Sequence, residues 1–371
     1  MTDTNGSLET PTHTTQNLRG ILPVGQVGLG RLLTFFLSLT LFLVALELMK
    51  TGANGLTPLT RDLISLDDAL TGLGFGWLTS YIVLSGSPIA AVALALFDAG
   101  SIGASTAFTM IVGSRMGASL IVMFVGLIYI LRGHEQRTSL LTGLLALIIT
   151  GIVYIPAVPL GLLLLNITPF RIRIRLPGGT SAGSALDALL GPPVELATTY
   201  LPDAAIFGLG LVLTIASLSL IDRALPEFHL EDNVFGGVSR LLYRPAISFI
   251  LGLAITLLTM SVSVSLSLLV PLSVRGYIRR ENLVPYIMGC NISTFVDTLI
   301  AGLLLRNAAA ADIVVVQILS VTVVSVAILA FFYRSFEQFA LRSALWLNRD
   351  RLRLQLFLLV TLLIPLTMIV V

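Results

Sequence analysis

The sequence predicts an all-α polytopic membrane protein made of two inverted-topology repeats, each holding a re-entrant helical hairpin and a broken transmembrane helix. Three observations predict it. Hydrophobic residues make up 56% of the chain and charged residues 11%, with a mean hydropathy of +0.96; in soluble domains roughly a quarter of residues are charged. Several apolar stretches are long enough to cross the roughly 30 Å hydrocarbon layer of a bilayer. Finally, one short pattern occurs twice at one internal spacing. Leu84-Ser85-Gly86-Ser87 is followed by Gly113-Ser114-Arg115-Met116-Gly117, and Met260-Ser261-Val262-Ser263 by Gly289-Cys290-Asn291-Ile292-Ser293-Thr294. Ser85 to Ser261 is 176 positions, as is Gly113 to Gly289, so the copies align without a gap. Paired polar breaks at matching positions of two halves point to the binding site of a secondary transporter.

The elements follow in order. Residues 1–30 form a tail expected to be disordered: positions 1–28 are rich in Thr, Gly and Asn and lack the basic start and apolar core of a signal peptide. Repeat 1 covers 31–169, with spans at 31–49, 104–131 and 139–168 and an interrupted apolar stretch at 71–99. Residues 170–202 are read as an extracellular loop. Repeat 2 covers 203–333, with spans at 203–221, 281–305 and 313–333 and an interrupted stretch at 245–274. Each interrupted stretch reads as a hairpin of two half-helices, because non-helical backbone at membrane depth is tolerated where it lines a polar cavity. Pro88 suits the first turn of a second half-helix, where its missing N–H costs nothing. Residues 334–371 carry an amphipathic interfacial helix, its arginines toward lipid phosphates, and a terminal span.

Charge orients this layout. With the N-terminus cytoplasmic, the outside segments carry Lys50, Arg61, Arg171, Arg173, Arg175 and Arg306, Arg115 lies within the membrane, and the other fifteen of 22 basic residues lie inside. That is the positive-inside asymmetry. Three crossings separate the two copies, and an odd number inverts the second relative to the first. The chain is thus expected in a bacterial or archaeal inner membrane.

The breaks carry the chemistry. N-terminal ends of half-helices suit anions, while C-terminal ends and unwound carbonyls suit cations. Ser85, Ser87, Ser261 and Ser263 add hydroxyls that donate to an oxyanion or accept toward Na⁺. Asn291, Ser293 and Thr294 add more oxygen ligands, and the set is expected to line one polar cavity. The alternative is that these small residues allow close packing or bond back to their own helices. Arg115 lies about ten residues into a span, where an arginine costs roughly 2.5–3.5 kcal/mol and normally has a partner. It is read as a salt-bridge partner of Asp297 or Asp98, as a ligand for an anionic substrate, or as a fixed charge standing in for Na⁺. One cysteine excludes an internal disulfide, and three scattered histidines argue against a His-built metal or catalytic centre. No zinc-protease helix, Ser–His arrangement or phosphate-binding Gly-Lys loop occurs in the spans, so no enzyme is expected.

At these motifs the chain resembles the type II sodium–phosphate cotransporters, including their bacterial members. That family has two inverted repeats, each with a Gln-Ser-Ser-Ser hairpin and a Gly-Ala/Ser-Asn-Ile-Gly-Thr segment. The order and spacing match over roughly residues 35–330. The motif Gln is Leu84 in one copy and Met260 in the other, the middle Ser is Gly86 or Val262, and the first-copy Asn is Arg115. The resemblance implies sodium-coupled symport of phosphate or a related anion. It places substrate at Ser85, Ser87, Arg115, Ser261, Ser263 and Asn291, and Na⁺ at Ser85, Ser263, Asn291, Ser293 and Thr294. The implied partners are a small anion, sodium and membrane lipid, with no nucleic acid. Two alternatives are a transporter of this architecture for another solute with altered sodium coupling, and a non-transporting sensor or scaffold.

Overall fold

Two fifteen-residue helices organise the molecule. The computed structural model describes residues 29–62, 68–120, 122–123, 136–167, 180–224, 244–260, 265–266, 280–305 and 307–370. Helix α1 spans Leu29–Asp62, α2 Ala69–Val83, α3 Ser87–Asp98, α4 Ala104–Ala118, α5 Gln136–Ile167, α6 Thr180–Tyr200 and α7 Asp203–Ala224. Then come α8 Pro245–Thr259, α9 Arg280–Ser293, α10 Val296–Leu304, α11 Ala308–Ala327, a π turn at Ile328–Phe332, α12 Tyr333–Asn348 and α13 Arg351–Val370. The described residues contain no strand. Among them, six helical stretches are long and apolar enough to cross a membrane: Gly30–Ala53, Leu140–Ile167, Asp203–Ile221, Glu281–Leu304, Ala308–Asn348 and Arg351–Val370. The chain is an α-helical membrane protein. Helices α2, α3 and α8 are apolar but shorter.

Helices α2 and α8 each hold 15 residues and begin 176 positions apart, at Ala69 and Pro245. Asp68 caps α2 by accepting from the Ala69 N–H, 2.7 Å away, whereas Pro245 opens α8 where no N–H is needed. Both helices stop on a residue in the left-handed region, Leu84 at φ 53° and Met260 at φ 49°. These are the positive-φ non-glycine residues of the described chain. A left-handed turn costs an ordinary L-residue about 1–2 kcal/mol, so the surrounding packing imposes it.

That packing is itself repeated. Helix α4 lies against α2 so closely that a Cβ on Gly113 would meet the Leu73 carbonyl oxygen at 2.1 Å and the Trp77 nitrogen at 2.8 Å. A Cβ on Gly289 of α9 would meet the Phe249 carbonyl at 2.1 Å and the Leu253 nitrogen at 2.8 Å. The reciprocal pair, Gly76 on Met110 and Gly252 on Tyr286, would clash at 2.0 and 2.1 Å. Each contact and its counterpart are 176 residues apart. In lipid, which offers no hydrophobic drive between helices, such small-residue approaches hold helices together.

The second members of both pairs then break at one register. Helix α4 ends at Ala118, so the described part of the expected 104–131 span stops being one straight helix there. The expected 281–305 span is interrupted by a turn at Thr294–Phe295, after which α10 starts with Asp297 in its first turn. The buried centre is built by α3, α4, α5, α9 and α11, with Phe108, Met110, Ile111, Leu144, Tyr154, Tyr286 and Phe295 among its occluded side chains. The connection expected to be a loop at 170–202 contains α6, although Pro192 and Pro193 lie inside that helix. Helix α12 buries Phe336, Ala340, Ala344 and Leu347 on one face, as its amphipathic pattern predicts. Arg353 stacks over Trp346 at 4.6 Å beside it. Of the side chains of α13, Pro365 is buried, as suits a helix whose flank meets lipid. The tail at 1–28 and residues 225–243 lie outside the described residues.

Candidate functional site

The break after α2 opens on a cavity of about 200 Å³. Its floor is Ser85, Gly86 and Ser87, at the N-terminus of α3, with Arg115 of α4 and Asp297 of α10. Met260, the left-handed residue that ends α8, lines the same space. Residues on both repeated breaks therefore reach one cavity. The walls are apolar: Phe35, Leu39 and Phe42 from α1, Leu218 and Ile221 from α7, and Ile300 from α10. The spacing of the α1 residues, i, i+4 and i+7, puts them on one helical face.

Arg115 is 6% exposed and its charge is answered within the protein. Its Nη2 lies 2.7 Å from Asp297 Oδ1 and also donates to Thr298 Oγ1. Nη1 donates to Ser87 Oγ at 3.1 Å, and Ser87 in turn donates to Asp297 Oδ2. The Thr298 amide and hydroxyl also donate to Asp297 Oδ1. The guanidinium lies 5.5 Å from the Phe295 ring centroid, within cation–π range. Nε is left buried without a hydrogen-bond partner. The network joins α3 and α4 of the first half to α10 of the second. Isolated, neither charge would be tolerated in so buried a position; as a hydrogen-bonded pair they are.

Helix α3 begins at Ser87 with no side-chain cap on its first turn. Its dipole adds partial positive charge to the floor. At its other end lies a wider concavity of about 730 Å³, lined by Glu47, Lys50, Asp98, Glu195 and Asn307 among others. There Lys50 Nζ pairs with Asp98 Oδ2 at 2.9 Å, and Asn307 Nδ2 donates to Asp98 Oδ1 at 2.7 Å. Twelve helical residues separate the two spaces, about 18 Å at 1.5 Å per residue.

The sequence-derived site residues divide. Ser85, Ser87 and Arg115 line the cavity, and of the two acidic partners read for Arg115 the pairing falls on Asp297, because Asp98 is held by Lys50. Asn291, Ser293 and Thr294 are buried but do not line it. Asn291 Oδ1 accepts from Thr150 at 3.3 Å and its carbonyl from Tyr154 at 3.0 Å, which turns it toward α5. Ser293 bonds back to Gly289 and Cys290 carbonyls, the alternative read for such residues. Asn291 Nδ2 and Thr294 Oγ1 have no hydrogen-bond partner. Ser261 and Ser263 lie outside the described residues. Thr298 and the apolar walls were missed; the i, i+4, i+7 face of α1 was the available signal. None of the family models, curated proteins or solved structures compared with this chain matches it.

Proposed function

We propose that this chain is a secondary transporter of a small anion, built as two inverted copies whose interrupted apolar stretches, 71–99 and 245–274, are re-entrant hairpins. The observation that carries the reading is the convergence of both repeated breaks, Ser85–Ser87 and Met260, on one cavity with a buried arginine in its floor. A protein without a ligand there has little reason to hold two strained left-handed turns and an intramembrane charge at one place. The two spaces at opposite ends of α3 fit alternating access, with α3 as the barrier and the Lys50–Asp98–Asn307 clasp closing the wider side. Coupling to a cation gradient follows the resemblance to the sodium–phosphate cotransporters, with Ser85, Ser263, Asn291, Ser293 and Thr294 as the sodium ligands it implies.

The ion pair favours the salt-bridge reading of Arg115 over that of a fixed charge standing in for Na⁺. The charge of Arg115 is balanced by Asp297 instead of standing alone. Uptake of radiolabelled phosphate and of organic anions into liposomes, with and without a sodium gradient, tests the proposal. Gradient-driven accumulation of any of them supports it, and absence of uptake under sodium, proton and counterflow conditions overturns it.

A further inference from the structure

We propose that the slot between α5, α12 and α13 binds one anionic phospholipid, with an acyl chain in the slot and the phosphate at the arginines of the α12–α13 corner. The slot shares no lining residue with the cavity at Arg115, and the proposal does not depend on the transporter reading. It holds about 340 Å³, within the range of small-molecule sites. Along α13 it is lined by Phe357, Thr361 and Ile364, and along α12 by Phe339, Ser343 and Leu347. Both spacings mark a single helical face. Two of its three hydroxyls, Ser119 and Thr361, donate back to carbonyls of their own helices at 2.6 and 2.7 Å. The Trp77 indole N–H donates to the Tyr81 hydroxyl at 2.6 Å. A lining whose polar groups are already served suits hydrocarbon. Ile155, Phe339 and Ile364 are exposed at the rim, so the slot opens sideways. A Cβ on Gly151 would meet nothing within 4 Å there.

Charge and length choose the occupant. Residues 342–353 carry Arg342, Arg349, Arg351 and Arg353 against one acid, Asp350. The first three arginines are exposed. Arg353 pairs with Asp350 at 3.7 Å on the surface, a contact worth little, and stacks over the exposed Trp346 at 4.6 Å. Tryptophan and arginine together are typical anchors at a membrane interface. Arg353 lies four residues before Phe357, on the slot-lining face of α13. From Arg353 to Ile364 is eleven residues, about 16 Å at 1.5 Å per residue. That is half of the roughly 30 Å hydrocarbon layer, the depth an acyl chain reaches from its own headgroup. The charge asymmetry puts this corner on the expected cytoplasmic side, where anionic lipids attract basic clusters. A second copy of the protein docked through the same face would set these arginines against their own counterparts. Trp77 of α2 and Met116 of α4 also line the slot, so the lipid would brace the helices that carry the first break and Arg115.

The test is native mass spectrometry of the purified full-length protein with phosphatidylglycerol or phosphatidylcholine of matched acyl chains. It compares the wild type, Gly151→Trp, and a triple variant carrying Arg349→Gln, Arg351→Gln and Arg353→Gln. The wild type should retain one phosphatidylglycerol, at least about tenfold more tightly than phosphatidylcholine, and glycerol phosphate without acyl chains should not displace it. Gly151→Trp fills the slot where a side chain has room, so it should lose that lipid and keep its thermal midpoint. The triple variant leaves the slot intact and should lose most of the preference for phosphatidylglycerol, each neutralised arginine costing up to about fivefold. Equal binding of the two lipids by the wild type, displacement by glycerol phosphate, or undiminished phosphatidylglycerol on a folded Gly151→Trp each overturns the proposal. So does a wild-type dimer that Gly151→Trp splits, which would put a second copy of the protein on this face. If Gly151→Trp does not fold, the triple variant decides, and an undiminished preference there overturns the proposal.

Discussion

At the scale of residues, the molecule turns on Arg115 and Asp297. The sequence flagged Arg115 because an intramembrane arginine needs an answer, and Asp297 was one of two acids within reason. A broken helix was expected in the second copy; what the sequence did not disclose was that the turn at Thr294–Phe295 puts Asp297 on the first turn of α10, where it meets both Arg115 and Ser87. Removing one partner leaves the other charge buried. Asp297→Ala should therefore destabilise the folded protein by about 3–5 kcal/mol, read as a lowered thermal midpoint in detergent. The double change Arg115→Met with Asp297→Leu should recover most of that loss while abolishing anion binding. Persistent instability in the double variant would argue that the pair does more than neutralise itself. The two serines of the first break separate in the same way. Ser87→Ala removes a hydrogen bond to each ion and should cost about 1–3 kcal/mol of stability. Ser85→Ala touches the cavity alone, so it should change binding and leave the thermal midpoint in place.

At the scale of elements, the gap-free spacing of 176 was legible, and it extends to the ends of α2 and α8. The left-handed turns were not legible, since Leu and Met have no preference for that region; tertiary packing imposes it there. Asn291 was expected beside the serines. The continuing turns of α9 carry it toward Thr150 and Tyr154 instead, a rotation that no spacing argument resolves. The repeated close approaches give a paired prediction. Gly113→Ala and Gly289→Ala should each destabilise by about 1–3 kcal/mol and by similar amounts, because both methyls would meet a carbonyl oxygen at 2.1 Å. Gly151→Ala, which meets nothing within 4 Å, should be near neutral. Unequal penalties in thermal unfolding would mean the two halves pack less alike than their geometry.

At the scale of the whole molecule, composition alone was enough for a helical membrane protein, and the described helices bear that out. The convergence of the two breaks depended on how α1 and α7 close over them, which only three-dimensional packing reveals. The central claim is that both breaks belong to one ligand site. It is tested most directly by thiol accessibility of Ser85→Cys and Met260→Cys in proteoliposomes. The native Cys290 is buried and should give little background. A water-soluble thiol reagent should modify both introduced cysteines, and the anion that is taken up into liposomes should protect both with one concentration dependence. Protection of one position and not the other, or of neither at concentrations that occupy the protein, would contradict the account.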